Sequence, residues 1–109
     1  MSGRGSPAPP RGLGAWLDRR TAEAPEALRA KVYYYAAAAG DGPRPETLAR
    51  AGWIALEGVL AHPGDRGAAL DLLAADALVT LALLAQAEAN PRELGAFAER
   101  LLREHLPRA

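Results

Sequence analysis

Two carboxylates interrupt the most apolar stretch of this chain. Asp71 and Asp76 lie within the run Ala68 to Ala89, and an isolated buried carboxylate is strongly disfavoured. Each therefore requires a partner or an opening to water. Asp76 precedes Thr80 by one helical turn, which puts both on one side of a helix. Asp71 and Asp76 fall about 140° apart around a helix axis, so they do not form a carboxylate pair. Two readings follow. In the first, Asp76 and Thr80 are the polar floor of a ligand pocket whose wall includes Tyr33 or Tyr34. In the second, Arg29, Lys31, Tyr33 or Tyr34 satisfy the carboxylates and fix the helix register. The second is favoured.

Tyr33, Tyr34 and Tyr35 are consecutive, and successive helical residues point in different directions. Tyr35 is expected in the core. Tyr33 and Tyr34 are expected at a groove or an interface, where tyrosine offers an apolar ring and a polar tip. Trp16 and Trp53 fit the same description, so Trp53, Tyr34 and Trp16 are the expected interface residues.

The remaining chemistry is mostly excluded. The chain has no Cys, which removes disulfides, thiol nucleophiles and thiolate metal sites. Its two histidines, His62 and His105, are far apart and show no metal-ligand spacing. No metal or cofactor is expected. Ser2 and Ser6 fall in the N-terminal stretch and no Thr has a His at helical spacing, so no catalytic residue is assigned. Arg100 and His105 have the Arg-x4-His spacing of the HEPN helical ribonucleases. The spacing alone does not make a family resemblance; it leaves RNA binding or cleavage by these two side chains, meeting across a dimer, as a third reading. Leu101 stands where those enzymes usually carry a polar residue.

Thirteen basic residues balance thirteen acidic ones over 109 residues. A net charge of zero provides no long-range attraction for nucleic acid or an anionic membrane, and neither is expected as a partner. It also offers little repulsion against self-association. Lys31 is the only Lys. The excess of Arg, Ala, Gly and Pro reads as the coding bias of a GC-rich bacterial genome. Absence of Cys suits a reducing cytoplasm.

The elements that must position these residues are helices. Half of the chain is hydrophobic, mostly Ala and Leu, with few strand formers. Met1 to Gly12 is rich in Gly, Pro and Ser and reads as a disordered tail. It has no apolar segment of the signal-peptide kind. Leu13, Trp16 and Leu17 predict a short amphipathic turn. The first main helix is expected from Thr21–Pro25 to Ala39, ending at Gly40, with a stripe of Leu28, Val32, Tyr35 and Ala39. The second spans Pro45 to about Leu60, with Leu48, Gly52, Leu56 and Val59 inward. The third covers about Arg66 to Ala89, capped by Asp65. The fourth opens on the capping-box pattern Asn90-Pro91-Arg92-Glu93 and runs to about Leu106, with Leu94, Phe97, Ala98, Leu101 and Leu102 inward.

The third helix has leucines all round, so it must be covered on every side. It is also long enough to span a bilayer, but Asp71 and Asp76 would each cost about 2.5–3.5 kcal/mol there. A core helix of a soluble domain is the expectation. The sequence thus predicts an all-α fold: a four-helix up-down bundle over residues 13–106 around a central apolar helix. The leading functional expectation is a non-enzymatic protein that associates with itself as a homodimer. A small-molecule binder or small enzyme, with a pocket between the first and third helices, is the alternative.

Overall fold

The computed structural model describes Pro9, residues 11–62, Gly64 and residues 66–105. Most of the stretch expected as a tail, residues 1–8 and Pro10, lies outside the described residues. Among the described residues the chain is all-α. It forms five α-helices, α1 (Arg11–Arg20), α2 (Glu26–Ala39), α3 (Arg44–Ala61), α4 (Ala68–Ala89) and α5 (Leu94–His105), and a 3-10 turn at Pro91–Glu93.

The first segment is longer than its apolar triplet suggests. It starts at Arg11 and makes ten residues of helix, so the count is five helices rather than four and a turn. Leu13, Trp16 and Leu17 are all buried. Thr21, expected to open the next helix, closes this one instead. Its hydroxyl donates to the Leu17 carbonyl at 2.7 Å, the same oxygen that accepts the Thr21 backbone N–H at 2.9 Å. Arg29 Nε then donates to Thr21 Oγ1 at 3.4 Å.

Helix α2 stops at Gly40, whose φ of 84° is open to glycine and strained for other residues. Arg50 holds the α2–α3 turn by donating to the carbonyls of Ala39 (3.0 Å) and Asp41 (3.1 Å). The α3 face turned inward is Leu48, Ala51, Gly52 and Ala55; Leu56 and Val59, expected inside, are half-buried. Gly52 explains this rotation. A Cβ on it would lie 3.0 Å from Val79 Cγ2 and 3.4 Å from the Ala75 carbonyl oxygen. Helices α3 and α4 therefore pack tightly there. Ala74, Ala75, Ala82 and Ala85 line the buried side of α4 around Leu78, and such small residues permit close backbone approach.

Helix α4 packs most extensively on α3, α2 packs on both, and α5 rests on α4. Asp65, expected as the α4 cap, lies outside the described residues. The capping box expected before α5 does not form. Asn90 makes no side-chain cap bond. The Glu93 N–H bonds the Asn90 carbonyl at 3.1 Å instead, and the turn tightens to 3-10. Phe97 and Leu101 are the buried anchors of α5, whereas Leu102 is exposed. Adjacent helical positions are 100° apart, so Leu101 and Leu102 cannot share one narrow contact face.

Candidate functional site

Asp71 is tied to α2. Its Oδ1 accepts from the Tyr35 hydroxyl at 3.0 Å and lies 2.9 Å from Lys31 Nζ. Lys31 and Tyr35 are one turn apart on α2, so one face of that helix delivers both donors. The Lys31 ammonium holds the Asp71 carboxyl below the usual carboxylate range, against the opposing effect of burial. Burial, then the bond to Asp71, pushes the Tyr35 phenol up to about 12. The register-fixing reading of Asp71 is the observed arrangement, with Lys31 among the expected partners and Tyr35 in the place expected of Tyr33 or Tyr34.

Those two tyrosines are elsewhere. Tyr33 donates to the Asp18 carboxylate on α1, and the Arg29 guanidinium lies 6.0 Å from its ring centre. Burial and the Asp18 contact raise the Tyr33 phenol above its ordinary value. Tyr34 is 53% exposed. It lines an open hollow with Ala27, Ala30, Lys31 and Tyr35 along α2.

Trp16, expected at an interface between proteins, is used within the chain. It is 2% exposed. Its Nε1 donates to Glu88 Oε1 on α4 at 2.9 Å. Arg20 pairs with the other oxygen of Glu88. Arg20 and Arg44 lie 5.6 and 5.4 Å from the centre of the Trp16 ring. This cluster fastens α1 to the ends of α3 and α4. Nothing in the spacing of residues 16 and 88 announces it, because the pair is 72 positions apart.

Asp76 is not buried. It stands at the exposed edge of a groove of about 230 Å³ between α3 and α4, with Gly52, Trp53, Leu56, Leu72, Ala75 and Val79. Thr80 follows it on the same outward face. The expected constellation therefore separates: Asp76 and Thr80 occupy the outer face of α4, while Tyr33 and Tyr34 occupy α2 surfaces with other neighbours. The pocket floor expected between those helices is instead the closed Tyr35–Asp71–Lys31 contact. Trp53 lines the Asp76 groove and is half-buried.

A second cleft, about 290 Å³, lies between α3 and α5, lined by Glu46, Ala49, Arg50, Phe97, Arg100 and Leu101 among others. Arg100 spans it to Glu46 at 3.5 Å and sits 5.6 Å from the Phe97 ring centre. The guanidinium expected to meet His105 thus has an ion-pair partner on α3. The His105 side chain lies outside the described residues. Among the described residues no cluster of three or more His, Asp or Glu side chains is arranged to hold a metal ion.

The covering of α4 bears on the leading expectation. An all-round apolar helix must be wrapped by its own chain or finished by a second copy. Its own chain does not wrap it completely: Leu72 is 50% and Leu73 56% exposed, Leu84 is also exposed, and Leu60 on neighbouring α3 is 70% exposed. Compared with family models, curated proteins and solved structures, the chain matches none.

Proposed function

We propose that this protein works by association, as a homodimer, through the outer face of α4. The observation that carries the reading is the row of exposed leucines on that face, Leu72, Leu73 and Leu84. Leaving three partly exposed leucines in water forgoes on the order of 1 kcal/mol each, relative to burying them. Several large exposed apolar side chains on one helix face, rimmed by polar residues, mark a contact site. In this reading α2 to α5 act as an up-and-down bundle, joined by the short connections after Ala39, Ala61 and Ala89. A second copy closes the open side of that bundle. The balance of thirteen basic and thirteen acidic residues adds no net repulsion between copies. Sedimentation velocity tests the reading: a dimer is expected at tens of micromolar, and a clean monomer there removes it.

The groove beside Trp53 supports a second reading, a small-molecule site. Its lining is apolar apart from Asp76 at the edge, so it suits a small apolar molecule carrying one cation. Thermal stabilisation by such cations, lost in Asp76→Asn with the fold intact, would support it.

A further inference from the structure

The outer face of α4 reads the same from either end. Counted from Leu78, Ala69 and Ala87 lie nine residues before and after, Leu72 and Leu84 six, Leu73 and Leu83 five, and Asp76 and Thr80 two. At these four steps, which share the face opposite Leu78, the residue before it matches the one after it in kind: small with small, leucine with leucine, polar with polar. Leu78 itself is fully buried on the opposite side of the helix. Along the exposed stripe, one polar pair thus sits at the middle, flanked by leucines and ended by alanines.

We propose that the second copy packs antiparallel on α4, about a twofold axis passing over Leu78, so that Asp76 of each copy accepts a hydrogen bond from Thr80 of the other. This rests on the homodimer reading above and adds its geometry. A twofold axis perpendicular to two antiparallel helices exchanges positions equally far before and after the centre. It brings Leu73 against the second copy's Leu84, Leu72 against its Leu83, and Ala69 against its Ala87. The two polar residues then meet only each other. The donor and acceptor match: a threonine hydroxyl has a proton to give, and an ionised carboxylate only accepts. The bond forms twice, inside a ring of leucines that excludes water. The antiparallel helices also oppose their dipoles.

Other registers fail on the same residues. A parallel pair sets Asp76 beside Asp76 in an apolar seam, where like charges repel with little screening. An antiparallel pair displaced by a turn sets Asp76 against leucine or against the other copy's Asp76, and leaves a carboxylate desolvated without a donor. Asp76 and Thr80 thus select one arrangement, as single polar residues in coiled-coil seams do.

The chain has no Cys, so introduced cysteines report contacts without background. Mixing Leu73→Cys with Leu84→Cys protein under mild oxidation is expected to give a mixed disulfide dimer. Leu73→Cys alone is expected to remain uncrosslinked. Two copies of residue 73 would be about 15 Å apart along the seam, beyond the roughly 7 Å between Cα atoms that a disulfide tolerates. Thr80→Asp is expected to weaken the dimer by about tenfold or more, and Asp76→Lys/Thr80→Asp to restore it. Each Lys then faces an Asp only in the antiparallel register. Circular dichroism confirms that each variant folds. A dimer in which Leu73→Cys crosslinks to itself, or in which the double variant stays dissociated, overturns this register and leaves the homodimer reading standing. A folded wild-type monomer, alone or bound to phosphatidylcholine vesicles, overturns both.

Discussion

Tyr35 and Asp71 meet at 3.0 Å, the phenol of α2 against the carboxylate of α4. Lys31 reaches the same oxygen from one turn away, at 2.9 Å. The contact admits a carboxylate to the side of α4 that faces α2 because both of its donors come from one rigid face. It also sets how α2 slides and rotates on α4, since shifting either helix by one residue separates the three groups.

Removing the hydroxyl alone isolates this bond. Tyr35→Phe is expected to lower stability by about 1.5–3 kcal/mol, the range for a hydrogen bond to a charged group. Its effect is expected to disappear in an Asp71→Ala background, which leaves the phenol no acceptor there. Urea denaturation of the two single variants and the double variant measures the coupling. Additive losses would show that the two residues act independently.

The same contact makes stability depend on pH at both extremes. Folding lowers the Asp71 pKa, so this contribution is present above the ordinary carboxylate range and is lost as pH falls through the folded value. Folding raises the Tyr35 pKa to about 12. That contribution is present below the ordinary phenol value near 10 and is lost as pH rises towards 12. Thermal melts across pH are expected to show both declines. In Asp71→Asn the acid decline is smaller. A phenolate absorbance step near pH 12, missing in Tyr35→Phe, identifies the alkaline group.

Helix boundaries were largely legible because they depend on local chemistry. Gly40 ends α2 and Ala89 ends α4 as the residue pattern requires. Long-range pairings were not. Asp71 was recognisable as a group needing a partner, yet the pattern pointed to Tyr33 or Tyr34, and packing brings Tyr35 to it instead. Trp16 and Glu88 carried no mutual signal over 72 positions. The assumption that Asp76 is buried failed for a related reason. Periodicity shows that α4 is apolar all round, but not which side its own chain covers. Leu72 and Leu78 look alike in sequence, and only the packing of α2 and α3 distinguishes them.

Trp16 holds α1 in place, so its loss is expected to be costly. Trp16→Ala removes a side chain that is 2% exposed and leaves Glu88 without its indole donor. A loss of about 3–5 kcal/mol is expected from the vacated volume. Glu88→Gln keeps an acceptor for the indole and is expected to cost far less. Denaturant midpoints compare the two, and faster proteolysis near Arg19 and Arg20 reports release of α1.

The close approach at Gly52 predicts a steep dependence on side-chain size. Gly52→Leu must push Val79 and the Ala75 backbone aside, and overpacking of this kind costs about 1–3 kcal/mol. Gly52→Ala meets the same neighbours with one methyl and gains helix propensity of about 1 kcal/mol, so its net change is expected to be small. A Gly52→Leu protein as stable as the wild type would contradict the observed separation of α3 and α4.

Two leucines five positions apart on α4 should respond oppositely to substitution. Leu78 is fully buried, and Leu78→Ala is expected to cost about 2–5 kcal/mol at any protein concentration. Leu73 is 56% exposed, so Leu73→Glu removes little from the interior of one chain. If α4 faces a second copy, dilution lowers the wild-type melting temperature, because association stabilises only the folded state. Leu73→Glu is expected to abolish that concentration dependence and to melt where dilute wild type melts. Scanning calorimetry over a hundredfold range of concentration separates the two effects. Equal, concentration-independent losses for both variants would place Leu73 in the interior and contradict the exposed face.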